Sequence, residues 1–474
     1  MISESVRAAL QAIVGRDGLV LEADERRGYE VAARYGAGRA AAVVRPANTA
    51  EVSKVLSLCS AQGLVVVPQS GNTGLALGST PDPTGDQVVV SLDRMRRLID
   101  VSPENRSVTA EAGVRLSSIN AALEPFGLWL PIDLSADPMV GGMVATNTGG
   151  ARFLRYGDVR AHVLGQEVVL ADVCGAVIDL GDGLRKDNSR LSLKDLFIGS
   201  FGALGVITRA TLVAHPRPVQ TAAALLVPHR AERILEILLY FEAHAGETLS
   251  AFEGISGGAM TCALALPHGR SPFAADPPDY AILVELSTSA PFERTCLDET
   301  LLTLLAPLIE GADPLLLDAI VAPSADLWRF RHALPEGLKA AGMVIGFDLA
   351  FRRDRVMAFR QAATQALAQQ APSVRVCDFG HVADGGVHFN VVAPRGLAVE
   401  AVDEIRRIVL DLAVGEYAGS FSGEHGLGRI NQGAYARYVP APERRLAATV
   451  ARILSGDTLS AARAIISAEP GSSE

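Results

Sequence analysis

The chain has 474 residues, a length that suits about two to four domains. Apolar residues make up 49% and charged residues 20%, which supports large packed cores and excludes a disordered protein. A formal charge of −10 argues against a nucleic-acid binder that works through bulk basicity.

The N-terminal stretch MISESVRAALQAIVGRDG predicts an amphipathic helix and lacks the charge pattern of a secretory signal. Residues 40–68 predict strand, helix, strand. Ala41–Arg45 is a short apolar run closed by Pro46, Asn48 and Glu51 have capping-box spacing, and Val52, Val55, Leu56 and Cys59 follow helical periodicity. Gly63 ends that helix, and Leu64–Val67 is a buried strand stopped by Pro68. Further strands are expected at Gln87–Leu92, Arg106–Ala112, Gly165–Leu170, Ala176–Leu180 and Gly205–Ala214, with a glycine-rich loop from Pro131 to Gly150.

The pattern changes around Pro216–Pro218. Helices are expected at His229–Ala245, Glu293–Glu310 and Asp354–Gln370, with strands at Tyr280–Leu286 and Val344–Ala350. After Gly419 comes another glycine-rich segment, then polar helices and a frayed end, PGSSE. No run approaches the roughly 18 uncharged apolar residues of a membrane helix. The five cysteines are scattered and form no C-x-x-C. No disulfide framework is expected, and a cytoplasmic location fits, either free or at the inner face of a membrane.

Two glycine patterns are decoys. Gly36-Ala-Gly38-Arg-Ala-Ala41 matches G-x-G-x-x-A, but a strand is expected after it rather than before it. Gly254-Ile-Ser256-Gly-Gly258 matches G-x-S-x-G, which needs a preceding strand and a following helix; the acidic, mixed upstream segment does not suggest that context.

Four other segments carry chemistry. Pro68-Gln-Ser70-Gly71-Asn72-Thr73-Gly74-Leu-Ala-Leu-Gly78-Ser79 follows a buried strand and suits an anion-binding nest of backbone N–H groups; it has no Lys, so it is not a Walker loop. Asp133 to Gly150 holds two Gly pairs around Thr146-Asn147-Thr148, a composition suited to a flat ligand against backbone. In Gly380-His381-Val-Ala-Asp384-Gly385-Gly386-Val-His388-Phe-Asn390 the two imidazoles converge only if the chain turns at Asp-Gly-Gly. Ser422-Gly423-Glu424-His425-Gly426-Leu-Gly428 pairs an acid with an imidazole. Separate structural histidines are the alternative for each of the last two segments. Together they offer His381, His388 and Glu424 as a zinc-type ligand set, with His425 as a base.

In this order the segments resemble the FAD-dependent D-2-hydroxyacid dehydrogenases, D-lactate and D-2-hydroxyglutarate dehydrogenases among them, of the vanillyl-alcohol-oxidase superfamily. The resemblance covers roughly residues 38–460 and rests on PQSGNTGL, VATNTGGARFLRYGD, LRKDNSRLSLKDLFIGSFGALGVIT, GHVADGGVHFN and SGEHGLGR. It implies an α+β chain with a two-part FAD-binding domain of the vanillyl-alcohol-oxidase (PCMH) type over residues 1–218, its core about 36–215. An α+β substrate domain with an antiparallel sheet would follow over 219–418, and a segment returning to the flavin over 419–474.

The resemblance further implies that Pro68, Ser70, Gly71, Asn72, Thr73, Gly74, Gly78 and Ser79 hold the FAD pyrophosphate. Pro131, Asp133, Gly142, Ala145, Thr146, Asn147 and Gly150 would line the flavin, with Gly205 and Ile207 near the nucleotide. A divalent metal, zinc in the family, would fall on His381, His388 and Glu424. His425 would be the base, Arg331 the grip on the substrate carboxylate, and Asn390 a polar neighbour of the substrate. No His or Cys lies in Pro68–Ser79, so the FAD is expected to be non-covalent through this loop.

The chain departs from the family in places. The metal loop reads Ala383-Asp384-Gly385-Gly386, Phe201 stands for a usual Glu, and Leu459-Ser-Ala-Ala replaces a terminal Asn-Pro-Gly. The hydroxyglutarate branch has a Thr and a Lys where Pro335 and Gly346 stand, and a frequent Lys is Asn431. Only four of the 43 basic residues are Lys, yet neither lost Lys is replaced by Arg. A substrate less dependent on a second cationic clamp than 2-hydroxyglutarate is therefore expected. The expected partners are a small 2-hydroxy acid and an acceptor such as a quinone, an electron-transfer flavoprotein or a cytochrome; a homodimer is open. A flavin oxidase of another alcohol using O₂, and a non-catalytic flavin-binding subunit, stand as alternatives.

Overall fold

The computed structural model describes residues 2–34, 36–134, 136–181, 183–290 and 296–468. The start of the helix expected from Glu293 and the frayed end at 470–474 lie outside the described residues. The chain divides into two compact units. One comprises Met1–Gly150, Gly157–Arg217 and Glu424–Glu474, the other Ala151–Tyr156 and Pro218–Gly423.

The first unit holds two main sheets. The smaller has the order Leu19–Val20, Ala40–Val44, Gln87–Ser91, Val66–Gln69; its last three strands are parallel. Parallel strands need a crossover, and the helix Thr49–Ala61 carries the chain from Ala40–Val44 to Val66–Gln69, on the far side of Gln87–Ser91, while burying Val52, Val55, Leu56 and Cys59 fully. Its start is a reciprocal cap: the Glu51 amide donates to Asn48 Oδ1 (3.0 Å), and the Glu51 carboxylate accepts from the Ala47 amide (2.8 Å). The larger sheet is antiparallel, ordered Leu98–Ser102, Ser107–Glu111, Val206–Val213, Val163–Val169, Val177–Asp179.

One expectation fails here. The glycine-rich stretch 131–150 is not all loop, because Val140–Thr146 is helical. Gly141 serves packing rather than freedom: a Cβ there would lie 2.7 Å from Ala112 Cβ and 2.9 Å from Ser70 Oγ. The helix ends at Asn147, which takes the left-handed conformation common after a last turn.

The second unit is built on an eight-stranded antiparallel sheet. Seven strands run in the order Leu316–Ala322, Gln220–Pro228, Tyr280–Thr288, Leu249–Ser256, Phe379–Gly380, Gly386–Ala393, Met343–Ala350, and Arg375–Val376 also pairs with Gly386–Ala393. Side chains alternate between faces. Ala222, Ala224 and Leu226 pack with the helices Ile234–Ala245, Leu297–Glu310, Val356–Gln370 and Val399–Leu410. Ala223 and Leu225 pack with Gly257–Leu264 and Ser324–Ala341. The α+β class with antiparallel sheets is thus as expected. The G-x-S-x-G context is a second correction: strand Leu249–Ser256 does run into helix Gly257–Leu264. Ser256 is buried, however, and its Oγ accepts from the Ala259 amide as the helix cap.

Candidate active site

In the first unit, the loop after Val66–Gln69 is held by its own polar groups. Gln69 Nε2 donates to the carbonyls of Tyr29 (2.9 Å) and Ser79 (2.7 Å), and Ser79 Oγ donates to Asn72 Oδ1 (2.9 Å). Asn72 takes a positive φ of 50°, which Asn tolerates better than most residues. Among the described residues, no amide from Ser70 to Ser79 donates to a main-chain carbonyl outside regular elements. A run of uncommitted N–H groups fits the phosphates of a dinucleotide.

The other nucleotide candidates of this unit lie in several places. Pro131 is buried between Leu130 and Ile132 of the core. A Cβ on Gly150 would meet the Asp133 carbonyl at 2.7 Å, so these two are brought together. Gly142 and Ala145 lie on the Val140–Thr146 helix, and Thr146 Oγ1 donates back to the Gly142 carbonyl (2.9 Å). The Asn147 side chain bridges Asp158 (2.6 Å) and the Arg160 amide (2.9 Å). Gly205 precedes the strand Val206–Val213, where a Cβ would strike Val168 at 2.6 Å. The Ile207 side chain is in the core, 4% exposed, so only its main chain is available to a nucleotide.

The segment beginning at Glu424 packs on this loop. The Gly150 amide donates to Glu424 Oε2 (3.2 Å), and Arg429 Nη1 donates to the Thr80 carbonyl (2.9 Å). A Cβ on Gly428 would lie 1.8 Å from the Ala76 carbonyl oxygen, and one on Gly426 would lie 2.3 Å from the Phe201 ring. His425 stands between these contacts in sequence. Farther on, the Val66 amide donates to the Thr458 carbonyl (2.7 Å), and Leu459 is fully buried. Leu459-Ser-Ala-Ala therefore begins by covering the edge of the Val66–Gln69 strand.

In the second unit, the chain does turn between the two imidazoles. The amides of Asp384 (3.1 Å) and Gly386 (3.0 Å) both donate to the His381 carbonyl. Gly385 has φ +95°, and a Cβ there would lie 2.0 Å from the Phe351 carbonyl oxygen. The rings of His381 and His388 meet edge to face with centroids 5.3 Å apart. His388 pairs in register with Asp348, whose carboxylate oxygen is 3.6 Å from Nδ1. Asn390 pairs with Gly346, and its Nδ2 donates to the His388 carbonyl (3.0 Å). Imidazole donors of this kind fit a borderline divalent cation such as zinc.

Arg331, on the helix Ser324–Ala341, is 7% exposed. It donates from Nε to Glu253 Oε2 (2.9 Å), Nη2 lies 2.8 Å from the same oxygen as an ion pair, and the guanidinium lies 4.5 Å from the Phe379 ring centre. The other Glu253 oxygen is 2.5 Å from His381 Nδ1. Burial opposes ionisation of Glu253, but His381 and Arg331 more than offset it and hold its pKa down to about 2. Pro335, one turn after Arg331, has no N–H to offer the Arg331 carbonyl.

Sequence reasoning missed Glu253 and Asp348. A signal was present: each stands as the one acid of an otherwise apolar strand, in LSAFEGIS and MVIGFDLA, as Glu285 does in YAILVELST. An acid in such a run is seldom buried unless paired. Glu285 accepts from Arg152, Ser250 (2.8 Å), Ser324 (2.6 Å) and Trp328 (2.7 Å), and thereby anchors the 151–156 segment within this unit. The buried thiols of Cys262 and Cys377 share a hydrogen bond at 3.9 Å and form no disulfide.

A glycine loop with uncommitted amides on a mixed sheet, together with an α+β unit that holds a buried Arg and paired imidazoles, fits an FAD-binding oxidoreductase. The FAD binding domain family matches residues 40–181, and the C-terminal domain of FAD linked oxidases matches residues 231–454. The chain belongs to the FAD-linked oxidase family and is an FAD-dependent oxidoreductase. It is 33% identical over 442 residues to the mitochondrial D-2-hydroxyglutarate dehydrogenase of Bos taurus, covering 90% of this chain and 77% of that one. It is 30% identical to a D-2-hydroxyglutarate–pyruvate transhydrogenase of Saccharomyces cerevisiae, covering 84% and 80%. The fold is shared with p-cresol methylhydroxylase (TM-score 0.74, 16% identity, 97% and 96% covered) and with alkyldihydroxyacetonephosphate synthase (0.73, 14%, 96% and 85%). Among the described residues, no helix is long and apolar enough to cross a membrane.

Proposed function

We propose that this chain dehydrogenates a D-2-hydroxy acid to the 2-oxo acid. The observation that best supports it is the junction at Glu253, which joins a buried Arg to one of two facing imidazoles. The names of the relatives point to the same substrate class.

Oxidising such a substrate removes a proton from the hydroxyl and a hydride from Cα. The chemistry that FAD supplies when bound is hydride acceptance. His381, His388 and Glu424 would hold a divalent cation, whose contribution when bound is Lewis acidity toward the hydroxyl oxygen. His425 takes the hydroxyl proton on a ring nitrogen. Arg331 holds the carboxylate through the N–H groups not facing Glu253 and so orients Cα, while Asn390 supplies a polar contact. Ser70–Gly74, with Gly78 and Ser79, hold the FAD pyrophosphate, and the 131–150 segment lines the flavin.

Gly346 faces Asn390 in register. A Lys at this position would set a cation beside Asn390, and its absence favours a monocarboxylate over 2-hydroxyglutarate. Unpaired cysteines suit a reducing compartment such as the cytosol, with electrons leaving to a quinone, an electron-transfer flavoprotein or a cytochrome.

Anaerobic bleaching of the flavin against D- and L-lactate, malate and 2-hydroxyglutarate tests this. A D-2-hydroxy acid should bleach it in a single turnover. No bleaching by any of them, or peroxide formed stoichiometrically in air from another alcohol, would overturn it.

A further inference from the structure

Glu253 links two groups with different tasks. It stands on the strand Leu249–Ser256, 1% exposed. Its Oε1 meets His381 Nδ1 at 2.5 Å, and its Oε2 accepts a hydrogen bond from Arg331 Nε and forms an ion pair with Nη2 at 2.8 Å. The partners come from separate elements: His381 follows the strand Phe379–Gly380, and Arg331 lies on the helix Ser324–Ala341. Phe379 closes the group, carrying the Arg331 guanidinium on its face and meeting the His388 ring edge-on at 5.7 Å.

Glu253 Oε1 contacts the ring at Nδ1, so Nε2, the other possible ligand atom of His381, is turned away from Glu253. The same carboxylate balances a guanidinium that would otherwise be a buried, unpaired charge. An amide in its place could serve neither partner fully.

We propose that Glu253 is a positioning residue that aims Nε2 of His381 at a divalent cation and fixes the Arg331 guanidinium for a substrate carboxylate. It rests on the reading of His381 as a metal ligand. One buried side chain then couples metal loading to substrate orientation, and damage to it appears in both.

The test uses the purified flavoprotein stripped of metal by a chelator, as wild type, E253Q and E253D. Each is titrated with Co²⁺ by calorimetry, with flavin absorbance and denaturation midpoint read alongside. E253Q should bind Co²⁺ about 10–100-fold more weakly, the usual loss on removing a carboxylate behind a ligating His, with flavin content unchanged. E253D, which keeps the charge at shorter reach, should fall between. With Co²⁺ saturating, E253Q should also raise the KM of the hydroxy acid that bleaches the wild-type flavin, roughly tenfold for a lost charge-assisted contact behind Arg331. A merely structural role would lower the midpoint and leave both constants alone. Wild-type Co²⁺ affinity in E253Q and E253D would overturn the inference while leaving the metal site standing. If E253Q yields no yellow protein, wild-type affinity in E253D alone overturns it. Absence of Co²⁺ binding by the wild type would remove the metal site itself, and the inference with it.

Discussion

Glu285 is a carboxylate held by four side chains in a dry interior. Burial resists its ionisation, but Arg152 and the surrounding donors win, so its pKa lies below the ordinary 4.5. The unfolded chain therefore binds this proton more readily than the folded one. The stabilisation is complete above 4.5 and fades as the pH falls below it. E285Q should cost about 3–5 kcal/mol at pH 7, the scale for leaving a buried partner uncompensated, and the gap to wild type should narrow toward pH 3. Urea denaturation at both pH values checks this; a constant gap would contradict it. Two histidines carry kinetic predictions. H425A should slow flavin reduction by roughly 10²–10⁴-fold, the scale of a lost acid–base group, and stopped-flow absorbance reads it. H388A should abolish turnover together with Co²⁺ binding, measured by calorimetry.

At the scale of elements, the glycine loop after Val66–Gln69 depends on the segment that starts at Glu424. The closest approach is at Gly428, where a Cβ would lie 1.8 Å from the Ala76 carbonyl oxygen. G428A must push the loop aside and should weaken FAD retention about tenfold or more by equilibrium dialysis, an amount equal to roughly 1.4 kcal/mol. G433A is the control: a Cβ there meets nothing within 4 Å, on the helix Gln432–Tyr438, so it should retain FAD as the wild type does. Most strands of the first unit, Tyr280–Thr288 and Met343–Ala350 in the second, and the helix Thr49–Ala61 were legible because apolar patterning and capping are local, whereas Gln220–Pro228, Leu249–Ser256, Leu316–Ala322 and Gly386–Ala393 were not expected as strands. The helix Val140–Thr146 was not legible either. Its glycines read as loop, and Gly141 is there because Ala112 and Ser70 leave no room for a side chain.

For the whole molecule, each unit owns its cores: Val44, Val55, Val66 and Val90 lie in one, and Phe241, Phe252, Phe359 and Phe389 in another. Two units with separate cores need not melt together. Calorimetry of the flavin-free protein should resolve more than one transition. FAD at about 100 times its Kd should raise one of them by roughly 2.7 kcal/mol of stability through linkage. A uniform shift of every transition would contradict independent melting.

The sequence by itself determined the fold class and the family. Glycine-dense loops write their constraints locally, since positive φ and close backbone approach restrict the residues that fit. The turn that brings His381 to His388 was legible for the same reason. Only the tertiary structure decided which acids stand behind those residues. Glu253 is 128 residues from His381 and 78 from Arg331 in the chain, and Asp348 reaches His388 only through strand register. Such pairings are set by the order of strands in a sheet and by the need to partner every buried charge, and neither condition has a local signature.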